Sequence, residues 1–153
     1  MRSPTRDSGI TLIEVVVTIT LLGVVMAFAV VGWSSWSRAR EQKATADELR
    51  TVLRSAQQRA VTEGVSMCVS FTATSYTVRR SNCSSTEVVD GPVPVEGETH
   101  LAGPAGGVTF APRGTASGGD VTITRPGSST AYVVKVEGFT GRPYICHDGH
   151  CDE

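Results

Sequence analysis

The stretch SGITLIEVVVTITLLGVVMAFAVVGWSSW, residues 8–36, decides the fold because it opens the chain with one long apolar run. From Ile10 to Val31 the only charged residue is Glu14. A helix needs about 20 apolar residues, at a rise of about 1.5 Å each, to cross roughly 30 Å of hydrocarbon. We therefore predict that residues 10–32 form a membrane-spanning helix.

The competing interpretation of this run is a secretory signal peptide, with Arg2 and Arg6 as its basic region. The apolar stretch of a signal peptide has only about 7 to 15 residues and ends in a small-residue cleavage site. The run here is longer, and AFAVVGWSSW at its end offers only a weak site of that kind. The sequence therefore favours a helix that is retained.

The composition is that of an ordinary domain and not of a nucleic-acid binder. The 153 residues include 19% charged residues and carry a net charge of −1. This length allows one domain of about 100 to 150 residues together with an appendage. From Gly64 onward acidic residues outnumber basic ones, which argues against a broad phosphate-binding surface.

Glu14 lies near the start of the apolar run, where a carboxylate is a functional candidate because it is costly in a membrane. The plain alternative is a side chain that reaches back to the headgroup region. The neighbouring residues distinguish the two, because a polar leader ends at Gly9 and Glu14 is the fifth residue after that glycine. This order resembles the leader and N-terminus of type IV pilins and type II secretion pseudopilins, although Ile10 replaces the usual phenylalanine.

The resemblance implies a processing site and a role for Glu14. A prepilin peptidase would remove the leader, residues 1–9, by cutting between Gly9 and Ile10, and would methylate the new N-terminus. Residues 10–32 would then be both membrane span and filament core. In a filament, Glu14 of one subunit could approach the cationic amine of a neighbour, because a paired buried charge costs much less than an unpaired one.

The same resemblance implies a location and a set of partners. Basic residues flank both ends of the span, so the positive-inside rule does not fix its orientation. The resemblance implies a single pass through the bacterial inner membrane, with a cytoplasmic N-terminus and an extracytoplasmic domain. The implied partners are the prepilin peptidase, other minor and major pilins or pseudopilins, the inner-membrane assembly platform and the lipid bilayer.

Residues 33–63 are predicted to continue the helix with one apolar face. Five apolar residues share that face, because each lies three or four residues from another of them: Leu49, Val52, Leu53, Ala56 and Ala60. Polar residues, Gln57 among them, occupy the other faces. Gly64 is the expected C-terminal cap.

Beyond Gly64 short β-type runs alternate with turns, which predicts a β-rich domain over residues 64–153. Three segments are predicted to form strand pairs: SMCVSFTATSYTVRRSNC from residue 66, GVTFAPRGTASGGDVTITRPG from residue 107 and TAYVVKVEGFTGRPYIC from residue 130. Residues 86–107 are rich in proline and glycine and are predicted to form a loop-bearing connection. The predicted fold class is α+β, a long helix packed on an antiparallel sheet.

Two motifs resemble the GspH/FimT group of minor pseudopilins: VTFAPRG at 108–114 and GFTGR at 138–142. The resemblance implies a minor pseudopilin at or near the tip of a type II secretion pseudopilus or type IV pilus, acting in filament assembly and protein secretion. The alternative is a DNA-binding minor pilin of a DNA-uptake pilus, which often carries Gly-Arg-x-Arg here. This chain has Arg142 but Tyr144 in the second position. These two residues are therefore the candidate ligand contacts, and DNA binding is not favoured.

The four cysteines, Cys68, Cys83, Cys146 and Cys151, can pair in three ways. Disulfides are the expected state of a domain outside the cytoplasm. The local pairs Cys68–Cys83 and Cys146–Cys151 are favoured, because the first lies near the ends of a predicted hairpin and the second brackets a short turn. The alternative for CHDGHCDE, residues 146–153, is a zinc site of two thiolates and two histidines, which oxidation of the thiols would remove.

The sequence gives little support to catalysis. It has no G-x-S-x-G motif and no phosphate-binding glycine loop of either usual spacing. Only three histidines are available as general bases: His100, His147 and His150. We therefore expect a protein that is not an enzyme and that needs neither a cofactor nor a metal.

Overall fold

The computed structural model describes residues 11–128 and 130–152, and for residues 29–39 only the helical backbone. A boundary between two compact units falls after Ser37. One helix and nine strands follow each other along the described residues: α1 (Leu12–Glu63), β1 (Met67–Phe71), β2 (Ser75–Arg80), β3 (Val88–Pro94), β4 (His100–Ala102), β5 (Val108–Phe110), β6 (Gly119–Thr124), β7 (Tyr132–Val136), β8 (Pro143–His147) and β9 (His150–Asp152).

Helix α1 begins and ends at residues that favour helix boundaries. The side-chain oxygen of Thr11 accepts a hydrogen bond from the Glu14 N–H at 3.3 Å, as an N-cap threonine does. At the other end Gly64 adopts a φ of +66°, the left-handed conformation that glycine adopts at a helix C-cap without steric cost. The expected cap at Gly64 is confirmed.

The first part of α1 exposes its apolar side chains. The described large apolar residues between Leu12 and Phe28 are accessible in the single chain, at 83% for Leu12 and 77% for Phe28. In the part of the chain that the structure describes, no helix is both long and apolar enough to cross a membrane. The predicted membrane span over residues 10–32 is therefore not confirmed.

Two antiparallel sheets follow the helix. The first has four strands in the order β3-β2-β1-β5, and the second has five in the order β4-β6-β7-β8-β9. Every neighbouring pair in both sheets is antiparallel. The predicted α+β class, with a helix followed by an antiparallel β-domain, is confirmed.

One hydrophobic core joins the second part of α1 to both sheets. The helix contributes Ala46, Leu49, Leu53, Ala56 and Ala60. The first sheet contributes Met67, Val69, Tyr76, Val78, Val108 and Phe110, and the second contributes Leu101, Val121, Ile123, Val134, Val136 and Ile145. The predicted apolar face of the helix is thus confirmed, with Val52 only partly buried.

Two of the three predicted strand pairs are confirmed, β1 with β2 and β7 with β8. The third is wrong, because β5 pairs with β1 in the first sheet while β6 pairs with β4 and β7 in the second. Gly114 and Gly118 have positive φ in the connection between β5 and β6, and so does Gly119, the first residue of β6. This glycine-rich connection passes from one sheet to the other and does not close a hairpin.

The prediction of a loop-bearing connection over residues 86–107 is wrong in that the segment contains strands β3 and β4. Along β3 exposed and half-buried residues alternate, and Val89 and Val93 pack against the core. Pro92 and Pro94 are compatible with a strand here because β3 is at the edge of its sheet, where a missing N–H leaves no neighbour unpaired.

A buried tyrosine connects α1 to the first sheet. The Tyr76 hydroxyl donates a hydrogen bond to Glu48 Oε1 at 2.8 Å, and only 4% of Tyr76 is accessible. Burial, and to a lesser extent the neighbouring Glu48 carboxylate, raise the pKa of Tyr76 well above its ordinary value. Tyr76 is therefore a neutral donor at physiological pH.

Candidate functional site

The N-terminal motif is described from Thr11 onward, so Gly9 and Ile10 lie outside the described residues. Glu14 is exposed in the first turn of α1. Its N–H is bonded to the side chain and the carbonyl of Thr11, at 3.3 and 3.1 Å. The spacing of Thr11 and Glu14 is that of a capping box, and a carboxylate in the first helical turn is stabilised by the helix dipole.

The Glu14 carboxylate forms no ion pair within the described part of the single chain. The Thr11 cap fixes the backbone from which this side chain projects, and the apolar residues around it are exposed. The arrangement can therefore present a negative charge to a cation supplied by another molecule.

The two motifs at 108–114 and 138–142 meet at one side chain of α1. Gln57 Nε2 donates hydrogen bonds to the carbonyl oxygen of Gly114 at 2.7 Å and to that of Thr140 at 2.8 Å. One amide group thus joins the helix, the turn after β5 and the loop between β7 and β8. We refer to Gln57, Gly114, Thr140 and Gly141 as the glutamine junction.

Gly141 is buried in the glutamine junction with a φ of +66°. A Cβ at this position would collide with the Gly114 carbonyl oxygen and with Gln57 Nε2. Only glycine therefore fits, both for its backbone conformation and for the space available. Gln57 was predicted to occupy a polar outer face of the helix, and nothing in its immediate sequence indicates its two partners, which are 57 and 83 residues away.

The structure brings the predicted residues Arg142 and Tyr144 together. They line an open depression of about 470 Å³ together with Glu137, Pro143 and Cys151. The Arg142 side chain is exposed, and its backbone N–H donates to Thr140 Oγ1 at 3.3 Å. Glu137 carries an opposing charge in the same depression and accepts a hydrogen bond from Thr140 Oγ1 at 2.8 Å. The depression therefore has no net cationic character.

Both predicted disulfides, Cys68–Cys83 and Cys146–Cys151, are present, with Cα atoms 5.1 and 4.0 Å apart. Cys146 and Cys151 face each other directly across β8 and β9. The turn that they bracket is the end of a β-hairpin, because Asp148 and Gly149 have φ angles of +48° and +81°, as in a two-residue hairpin turn.

The disulfide removes both thiolates from the alternative zinc site in residues 146–153. His147 stacks on Tyr132, with ring centroids 4.2 Å apart, and His150 lies opposite His147 in the hairpin. Among the described residues no group of three or more His, Cys, Asp or Glu side chains could hold a metal ion.

The glutamine junction predicts a large effect of Gly141→Ala. The new Cβ would meet the Gly114 carbonyl in a backbone conformation that alanine rarely adopts, so we expect the free energy of unfolding to fall by about 2–4 kcal/mol. Gly64→Ala is the matched control, because Gly64 has the same φ of +66° but open space around it, and it should cost only about 1–2 kcal/mol. Urea denaturation of the purified variants measures both values, and equal losses would contradict the junction.

Comparisons with known proteins identify two matching regions. A family model described as Type II transport protein GspH matches residues 45–140. A second, described as the prokaryotic N-terminal methylation motif, matches residues 4–30, which include Gly9, Ile10 and Glu14. No curated protein sequence is significantly similar to the chain.

Solved structures share the fold, among them a minor pseudopilin and a minor pilin. The minor pseudopilin EpsH from the type 2 secretion system of Vibrio cholerae is 14% identical, with a TM-score of 0.59 over 72% of this chain and 99% of that one. The type IV minor pilin FimU of Pseudomonas aeruginosa is 14% identical, with a TM-score of 0.54 over 72% of this chain and 97% of that one. The family match covers most of the helix-and-sheet domain, including Gln57, Gly114 and Thr140 of the glutamine junction. The chain therefore belongs to the family of the type II transport protein GspH.

Proposed function

We propose that the chain is a structural subunit at or near the tip of a type II secretion pseudopilus or type IV pilus, where it acts in filament assembly and secretion. This proposal rests on the change in burial of the apolar side chains along α1. From Ala46 to Ala60 one face of the helix is buried in the domain core, whereas from Leu12 to Phe28 the apolar side chains have no core to enter.

The exposed apolar part of α1 requires cover from other molecules. Its large side chains occur all around the helix, from Leu12 through Val16 and Leu22 to Phe28, and a helix that is apolar all round belongs in a membrane or in the centre of a larger assembly. We propose that the lipid bilayer covers it before assembly and that helices of neighbouring subunits cover it in the filament. In this arrangement the N-terminus is cytoplasmic and the domain is extracytoplasmic, where disulfides persist.

Processing would supply the cation for Glu14. A prepilin peptidase would cut between Gly9 and Ile10 and methylate the Ile10 amine, which stays positively charged. The helix would then begin at Leu12, two residues after the new N-terminus and directly after the Thr11 cap. Pairing of Glu14 with the amine of a neighbour would favour one register between subunits, because any other register leaves buried charges unpaired. The inner-membrane assembly platform and the other pilins or pseudopilins are the partners of this step.

Glu14→Val tests the filament role. The substitution should leave membrane insertion intact and lower incorporation into filaments by at least about ten-fold, because it removes the only acidic side chain of the exposed apolar segment. The measurement is the amount of the chain in sheared filaments relative to the amount in membranes.

Glu98→Val is the control for Glu14→Val, since Glu98 is exposed and has no ion pair among the described residues. Its incorporation should match that of the wild type. Normal incorporation of Glu14→Val would refute the proposed role.

The second candidate function is DNA binding, for which the depression beside Arg142 and Tyr144 would be the contact. Tyr144 could stack on a base, worth roughly 1–3 kcal/mol in single-strand binders. However, Glu137 lines the same depression, and Asp148 and Asp152 follow closely in sequence, so phosphate would be repelled. The geometry supports a structural role or a subunit contact for Arg142 better than a role in DNA binding.

We expect residues 37–153 to bind duplex DNA weakly or not at all at physiological salt. Fluorescence anisotropy with increasing salt measures this, and Arg113→Ala provides a matched control because it removes another exposed arginine. Affinity of about 1 μM or tighter that falls steeply with salt and that disappears in Arg142→Ala, but not in Arg113→Ala, would favour the DNA-uptake alternative.

A further inference from the structure

Helix α1 carries a polar face that the core of the domain does not use. Six side chains at helical spacing line one open depression of about 460 Å³: Asp47, Arg50, Thr51, Arg54, Ser55 and Gln58. Residues three or four apart share a face of a helix, and this set lies opposite the buried side chains of Leu49, Leu53 and Ala56. We refer to these six residues as the arginine face.

The arginine face continues toward the first sheet. A second depression, of about 220 Å³, shares Thr51 and Ser55 with it and adds Arg59 and Asp90. Together the two depressions form a groove along α1 with guanidinium groups, hydroxyl groups and two carboxylates in its walls.

The guanidinium groups of this groove have no partners within the described residues. Arg50, Arg54 and Arg59 form no ion pair there, whereas Arg80 pairs with Glu63 and Glu87, and Arg125 pairs with Glu41.

One further cost accompanies this lack of partners. Arg50 and Arg54 are four residues apart on the helix, where like charges are destabilising. Acceptors on another molecule that pair with the two guanidinium groups would relieve this repulsion.

We propose that the arginine face docks onto an acidic surface of a neighbouring pilin-type subunit, whose carboxylates accept hydrogen bonds from Arg50 and Arg54. This inference rests on the proposed function, because a filament places the helices of different subunits against one another. Bidentate contacts between guanidinium and carboxylate groups are geometrically specific, so the contact would select one neighbour and one register.

The mixed charge of the groove favours a protein partner over a nucleic acid. Asp47 and Asp90 lie in its walls and would repel a uniformly anionic polymer. A protein surface can instead place acidic side chains against the arginines and basic or polar side chains against these two carboxylates. The Ser55 hydroxyl can donate to or accept from a polar neighbour, whereas Thr51 Oγ1 already donates to the Asp47 carbonyl at 2.8 Å and can only accept.

The test places a photo-cross-linking amino acid at position 58 of the full-length chain in filament-forming cells, and identifies the captured molecule by mass spectrometry. We expect a pilin-type subunit, joined within an acidic segment. Adding Arg54→Glu should lower the yield by at least about ten-fold, since it reverses the charge of a contact that is desolvated on docking.

Arg113→Glu is the matched control for Arg54→Glu, because it reverses another exposed and unpaired arginine away from the arginine face. Its yield should stay within about two-fold of the wild type. Arg54→Glu also places a carboxylate four residues after Arg50, which favours the helix, so a lower yield would not reflect unfolding. Capture of DNA or lipid in place of a subunit, or an unchanged yield in Arg54→Glu, would overturn the proposal.

A second cross-linking position, at Val24 in the exposed apolar part of α1, separates this inference from the proposed function. If position 24 captures pilin-type subunits and position 58 captures none, the docking proposal is wrong and the filament role stands. If neither position captures a subunit, both are wrong.

Discussion

The burial of one face of α1 against both sheets is the interaction on which the rest of the structure depends. Leu49 and Leu53 are almost completely buried, in a core to which the helix and both sheets contribute. Each such side chain contributes roughly 1.5–3 kcal/mol. The two sheets are separate and have no strand in common. They therefore pack together through the core that both share with α1. Substitutions that weaken this helical face would therefore loosen both sheets together.

Polar side chains of α1 also hold the loops in position through hydrogen bonds. Gln42 is fully buried, donates to the Thr130 carbonyl at 3.3 Å and accepts from Ser128 Oγ at 3.1 Å. Gln57 holds the Gly114 and Thr140 carbonyls in the same way. These amides satisfy backbone groups that lie outside the strand ladders. The glycine at position 141 is therefore explained by close packing against α1 and needs no ligand.

The sequence predicts the features that depend on nearby residues and misses those that depend on distant ones. The apolar spacing around Leu53, the cap at Gly64 and the two local disulfides follow from short-range patterns. The prolines of β3 favour a loop in the sequence, although Val89 and Val93 alternate with more exposed residues as in a strand. The short turn between Cys146 and Cys151 is predicted from the sequence, and the Asp148-Gly149 pair further indicates a two-residue hairpin. The pairing of β5 with β1 and the contacts of Gln57 are long-range, and no local pattern indicates them. In the candidate site, the sequence indicates that Arg142 and Tyr144 lie together, but it does not indicate that Glu137 places a negative charge beside Arg142.

The two parts of α1 differ in the burial of their apolar side chains, and this difference relates the fold to the proposed filament role. The part after Ser37 is stabilised within the chain, while the side chains from Leu12 to Phe28 are exposed in the single chain and, under the proposed function, would be covered by lipid or by other subunits. Processing at the N-terminus tests this role most directly. In cells with an active prepilin peptidase, intact-mass measurement should show a chain that begins at Ile10 and carries one methyl group on its N-terminal amine. A chain that retains Met1 and the leader under those conditions would contradict a pilin-type role for the helix.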